Sequence, residues 1–323
     1  MVVFQDTWLW QAAIYLFLGG LSAGTFFIAG LICICGKRRL SKVYRISFRI
    51  APALLAIGLA FLLIELVKPT RTLIFWQSFS NTSSWMMWGA WVALGCVIVF
   101  SICAVFETPG PSGWLRDLVG RVPYLREILR RVFVGVGLLG ALFVTVYTGM
   151  LLKQATGVPF WSSPLLPALF CVSAIDAGLG MVVIVSVATG RMDQVEMGYR
   201  RQISVVGLIL TVVQTVIMFA YLYAMSRGLG FEYASQAQAA VASAEALISG
   251  GPAALFWTLV SGLGLGVPIS AFIVGIARNE GIPNAVLLIS AVLTIVGDAT
   301  LRFLIVYAGA YADYFAMVLA GIG

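Results

Sequence analysis

Histidine is absent from all 323 residues of the chain. That absence excludes a bis-histidine haem and any histidine-ligated metal centre. Charge is scarce too: Asp, Glu, Lys and Arg make up 10% of the residues, against about 25% in a soluble domain. Cys33, Cys35, Cys96, Cys103 and Cys171 all fall in apolar runs and form no C-x-x-C pair. They read as small buried hydrophobes, which leaves no ligand set for an iron–sulfur cluster. No basic patch is interleaved with aromatics, so nothing points to nucleic acid. No Lys or Arg precedes the first apolar run, and that run outlasts the h-region of a signal peptide. A membrane span is expected there, with no cleavable signal.

What remains is apolar: 61% of the residues are hydrophobic. Eight runs approach the roughly 20 residues that a bilayer requires, at about 9–35, 46–66, 85–106, 132–152, 164–188, 202–225, 253–277 and 284–310. The expected fold is an all-α polytopic membrane protein. Loop charge alternates. Lys37, Arg38, Arg39, Lys42, Arg45 and Arg49 surround the first loop, Arg116 to Arg131 fill the third, Arg191 to Arg201 the fifth, and Arg278 marks the seventh. The positive-inside rule puts these loops in the cytoplasm and both termini outside. The formal charge of +7 is thus a topology signal. Within the third loop, Glu107 to Arg131 alternates apolar and basic residues, as a short helix lying on the membrane surface would. The sixth loop, about 226–252, holds a helix-forming stretch from Ala234 to Leu247; it reads as a solvated connector or a docking surface. Spans one and five share small-residue textures, Gly19–Gly30 and Ser173–Ser186, at a four-span offset. That offset suggests two parallel repeats of four helices, 1–153 and 154–323.

Polar residues inside spans are the candidates for chemistry, because a charge there costs roughly 2.5–3.5 kcal/mol on the insertion scale. Asp298 and Arg302 stand one turn apart in the acid-before-base order that favours pairing. Asp176 has no partner in its own helix. Tyr147 lies sixteen residues beyond Arg131, roughly 24 Å along a helix, and so near the outer face. Glu65, Gln11, Tyr15, Trp85 and Trp88 reach that same side. Each has a plainer reading. The tryptophans and Tyr147 suit an interfacial belt, Glu65 a solvated helix end, and Gln11 polar trim. Asp298 with Arg302 suits a structural ion pair, and Asp176 a structural role.

Five motifs occur in order: FLGGLSAGTFFIAG in span one, ELVKP from Glu65, SSWMMWGAW from Ser83, YTGMLL from Tyr147, and GDATLRFLIVYAG from Gly297. Together they resemble the polysulfide reductase membrane subunit (NrfD-like, PsrC-like) family over nearly the whole chain. The resemblance implies two four-helix bundles and a bound, exchangeable quinone such as menaquinone, with no haem and no metal. It also implies an iron–sulfur partner subunit serving a molybdopterin catalytic subunit, in the cytoplasmic membrane of a bacterium or archaeon. Tyr147 would contact the quinone head group, with Gln11 in place of a polar pair that includes histidine in some members. The last-helix arginine matches Arg302; Asp298 stands where the family often has glycine.

On this reading Tyr147, Gln11, Tyr15, Trp85, Trp88 and Glu65 bind quinone, and Asp176, Asp298, Arg302 and Glu65 transfer protons. A tyrosine hydroxyl and a glutamine amide supply the hydrogen bonds a quinone head group needs. Two other functions stay open: a proton-translocating module without its own quinone turnover, and a secondary transporter, to which Pro268 within span seven lends a broken helix.

Overall fold

A computed structural model describes residues 3–5, 8, 10–35, 40–65, 85–107, 123–155, 157–192, 197–278 and 282–312. Among these residues eight helices are long and apolar enough to cross a membrane: α1 (Trp10–Ile34), α2 (Ser41–Glu65), α3 (Trp85–Phe106), α4 (Pro123–Lys153), α5 (Leu165–Ala188), α6 (Met197–Ser226), α8 (Ala253–Ala277) and α9 (Asn284–Tyr307). The helix α7 (Ala234–Ile248) and the strands β1 (Val3–Phe4) and β2 (Ala310–Tyr311) complete the elements used below.

Each predicted span is a helix, but α2, α4 and α6 begin earlier than their apolar runs do. Their first turns carry the basic residues. A helix satisfies its backbone whether or not it is in lipid, so hydrocarbon thickness does not limit it. In α4 the extra turns include Glu127, which pairs with Arg131 one turn on. Most of the segment expected to lie on the membrane surface, residues 108–122, is outside the described residues; from Pro123 onward it is already α4. The α5 and α6 helices stop the same way. Gly190 and Gly228 take φ of +64° and +60°, and Arg191 and Leu229 donate back to Ser186 and Ala224, closing the last turn.

Helix α1 occupies the middle of the molecule, packed against α2, α4, α5 and α9. Its glycines explain how. A Cβ at Gly24 would land on the Ala174 carbonyl, and one at Gly178 would land on the backbone of Gly24. The two small-residue stretches of spans one and five therefore face each other, backbone to backbone. Around this pair, α2 and α4 flank α3, while α5 and α8 contact both α6 and α9.

Pro268 does not break span seven. It stands second in the α-helical stretch Val267–Ala277, and α8 runs on through it. Directly before it, Phe256–Gly266 is wound as a π-helix. That wide turn lets Gly264 approach α9 so closely that a Cβ there would sit 2.8 Å from the Gly297 Cα.

A small cap covers one end of α5, α6 and α9. Strands β1 and β2 pair antiparallel, and Gln5 donates to the carbonyls of Trp8 and Val306 at 2.9 and 3.0 Å. Trp161 is fully buried and donates its indole N–H to Ile305 at 2.9 Å. Tyr221 donates to Phe160 at 2.7 Å. Helix α7 lies in the sixth loop, as its composition predicted, but it is no solvated connector. Its Ala239, Ala240, Ser243, Ala244 and Leu247 face is buried, and Ser243 accepts the Ala310 N–H at 3.0 Å.

The cysteines divide. Cys33, Cys96 and Cys103 are buried as expected, whereas Cys35, one residue past the end of α1, is exposed and Cys171 is half-buried. The apolar run around Cys35 outlasts the packed part of its helix.

Candidate functional site

Two polar sites lie on opposite sides of one turn of α1. The first is built around phenols. Tyr147, near the end of α4, is buried, and its ring fills the volume that a Cβ at Gly89 of α3 would occupy. Phe143, one turn earlier, lies parallel to it at 6.1 Å between centroids. Two residues on, Gly149 lets α4 touch α5, since a Cβ there would meet the Leu166 carbonyl at 3.1 Å. The YTGMLL stretch thus holds one aromatic ring and one helix contact in fixed relation.

Tyr15 of α1 is buried in the same apolar cluster as Tyr147. Its ring lies within van der Waals reach of Cβ positions built at Gly58 of α2 and Gly19 of α1. Gln11, one turn before Tyr15, has a buried amide oxygen with no partner among the described residues. Trp88, beside Gly89, is half exposed. Helix α2 closes at Glu65 and α3 opens at Trp85, but the side chains of these two residues are outside the described residues. Of the residues expected to bind quinone, then, Tyr147 and Tyr15 come together, with Gln11 one turn away.

The second site joins α5, α6 and α9. Arg302 is fully buried and pairs through Nη1 with Oδ2 of Asp298, as the acid-before-base spacing predicted. Its Nη2 donates to Ser173 at 2.9 Å and to the Phe170 carbonyl at 3.3 Å. The guanidinium also lies over the Phe170 ring, 5.1 Å from its centroid. Gln214 donates to the other Asp298 oxygen at 3.4 Å. One turn before Gln214, Thr211 contacts Asp176 at 2.9 Å. Ser173 stands one turn from Asp176 on α5. These side chains line a ring of positions on three helices: hydrogen bonds join Asp176 to Thr211, and Gln214 through Asp298 and Arg302 to Ser173, with one turn of α6 and one of α5 between the two groups.

Thr211 has one hydroxyl hydrogen and two acceptors in reach, the Asp176 carboxyl at 2.9 Å and the Gly207 carbonyl at 2.8 Å. With the hydrogen on Asp176, Thr211 donates to the carboxyl and can satisfy a bare carboxylate. With it on Gly207, the aspartic acid donates to the hydroxyl oxygen. Turning one hydroxyl accommodates both protonation states. Beside Asp176 a cavity of about 10 Å³, bounded by Gly180, Phe272, Leu287 and Thr294, is the size of one water.

Thr211, Gln214 and Ser173 were not singled out from the sequence. Gln214 carries a signal all the same: it is the one amide inside the apolar run 203–222, and Thr211 shares its face one turn before. Adjacent glycines separate the two sites. Gly19 faces Tyr15 and the Thr148 methyl, whereas a Cβ at Gly20 would come within 2.9 Å of Arg302 Nη2.

Residues 4–312 match the profile of the family described as Polysulphide reductase, NrfD. The protein belongs to that family. Among NrfD relatives, the C subunit of the polysulfide reductase of Wolinella succinogenes is 32% identical over 317 residues, an overlap that spans 94% of both sequences. Protein NrfD of Escherichia coli K12 is 30% identical, again across 94% of both sequences. A NrfD homolog of Haemophilus influenzae is 27% identical over the same share of each. With eight apolar helices in an NrfD-family sequence, this is a multi-pass membrane protein.

Proposed function

We propose that this protein is the haem-free membrane subunit of a respiratory oxidoreductase in a bacterial or archaeal cytoplasmic membrane. It binds an exchangeable quinone beside Tyr147 and trades electrons with an iron–sulfur subunit that serves a molybdenum or tungsten enzyme. The observation that carries this reading is the pair of buried phenols, Tyr15 and Tyr147, held by glycines on three helices where α2 closes and α3 opens. Membership of a family whose relatives include a polysulfide reductase subunit supports it.

The donor set suits a quinone. Phenol hydroxyls donate to a quinone carbonyl, and the unpartnered Gln11 amide oxygen accepts from a hydroquinone hydroxyl. The apolar residues around them suit an isoprenoid tail. Glu65 and Trp85 end the helices that border this site, and Trp88 stands beside its Gly89 wall. Helices α1–α4, residues 1–153, form one four-helix bundle, and α5, α6, α8 and α9, within 154–323, form the other. The arginine-rich loops face the cytoplasm, so both termini, the cap and the phenol site are outside, where the iron–sulfur subunit docks. That subunit carries electrons to or from the quinone; the membrane subunit supplies binding, orientation and proton exchange.

A second reading concerns protons. The ring from Asp176 to Arg302, with a water-sized cavity at its Asp176 end, favours proton movement between the cytoplasmic side and the quinone site. It either accompanies quinone turnover or, in a module without such turnover, replaces it. The decisive experiment for the first reading is Tyr147→Phe, assayed for quinol-coupled turnover in the assembled complex. The expected result is a raised KM for quinol and weaker binding of a quinol-site inhibitor. Unchanged kinetics and inhibitor affinity remove Tyr147 from the site and with it the reading.

A further inference from the structure

At the end of the molecule away from Tyr147, α1 and α4 diverge around a cavity of about 160 Å³ lined by Cys33, Ile34, Arg130, Arg131 and Val134. That is far more than the ~10–15 Å³ one water needs. Its walls differ in kind: one is apolar and includes the exposed Ile34, with the exposed Leu31 one turn earlier on α1, and the other is guanidinium. The charges nearby do not cancel. Glu107, almost fully buried, accepts from Arg45 Nε at 3.2 Å and from Arg130 Nη1 at 3.0 Å. Glu127 takes Arg130 at 3.1 Å and Arg131 Nε at 2.9 Å. Among the described residues three guanidiniums thus meet two carboxylates, both already engaged. Among the described residues neither amino group of Arg131 has a hydrogen-bond partner, and its side chain is 75% exposed.

We propose that this wedge between α1 and α4 binds the phosphate of an anionic glycerophospholipid, with its acyl tails against Leu31 and Ile34 of α1. The surplus positive charge selects a negative head group. Among the described residues there, both carboxylates are already engaged by arginines and offer nothing to the ammonium of a zwitterionic one. The apolar wall is idle for a free inorganic anion but necessary for a lipid. Basic pockets between membrane helices on the cytoplasmic side take such head groups, and the wedge is cytoplasmic in the orientation proposed above. The site is independent of quinone binding.

The full-length protein, delipidated in detergent, is placed in nanodiscs of phosphatidylcholine alone or mixed with phosphatidylglycerol, and bound lipid is counted by native mass spectrometry alongside Tm. Phosphatidylglycerol is expected to bind and raise Tm. Arg131→Gln should weaken its binding about fivefold, the value of one arginine near a lipid surface. Arg201→Gln, which removes an exposed basic residue from the corresponding end of α6, should leave binding unchanged. Arg131 is largely exposed, so its variant is expected to fold. Equal losses in the two variants, or equal retention of both lipids, would overturn the proposal. So would inorganic phosphate reproducing the Tm gain, because the site would then hold a free anion.

Discussion

Removing Arg302 and Asp298 singly and together tests whether the buried ring holds the α5, α6 and α9 helices as described. Both side chains are excluded from solvent, at 0% and 1% exposure. Arg302→Met takes away the ion pair, the bond to Ser173 and the contact with Phe170. Asp298 is then left with only the long bond from Gln214 at 3.4 Å. Removing one partner of a buried pair costs about 3–5 kcal/mol, and Asp298→Leu should cost as much by stranding the guanidinium. The double variant removes both charges. Ser173 also lies 3.2 Å from the Phe170 carbonyl and keeps that bond, so the Gln214 amide is the main group left unsatisfied, at about 1–3 kcal/mol. The double variant should therefore lose less than either single one, with a coupling energy of about 3 kcal/mol or more. The assay is unfolding of the purified protein across rising SDS fraction, followed by helical circular dichroism. Additivity of the two losses within about 0.5 kcal/mol would refute the pairing and with it the ring.

Gly89→Ala puts a methyl group where the Tyr147 ring lies; overpacking of about 1–3 kcal/mol should displace the phenol and raise the quinol KM about tenfold, with little change in membrane yield, while Gly95→Ala, which meets open space on the same helix, should be silent. Gly24→Leu should prevent assembly, because its Cβ lands on the Ala174 carbonyl; a wild-type level of folded protein after extraction would contradict the α1–α5 packing. Asp176→Asn in proteoliposomes should lower protons moved per electron if the ring conducts, whereas an undiminished gradient assigns Asp176 a structural role. Trp161→Phe deletes the indole bond to Ile305 and should lower Tm modestly, by the loss of about 1 kcal/mol, without altering quinol kinetics.

The spans were legible because a bilayer imposes length and composition together: eight apolar runs became eight helices. The Asp298–Arg302 pair was legible because both partners sit on one helix at the spacing that brings them together. The Gly24–Gly178 approach was half legible. Small residues announce close packing, but the partner helix is not written in either stretch alone. The ring around Asp176 was not legible, since Thr211 and Gln214 are unremarkable in their own helix and gain a role only where α5 and α9 bring carboxylates to them. The cap was hidden for a similar reason. Val3–Phe4 and Ala310–Tyr311 are too short to signal strands and pair across the full length of the sequence. The π-helical stretch in α8 has no period in the sequence to betray it, and the proline beside it pointed to a break that the helix does not make.

The most direct measurement is photolabelling of the intact complex by an azidoquinone, with the modified peptide mapped by mass spectrometry. The account predicts adducts on the opening of α3 around Trp88 or on the end of α4 around Tyr147, suppressed by excess menaquinol. Adducts confined to α8 and α9, or labelling that excess menaquinol leaves untouched, would contradict it.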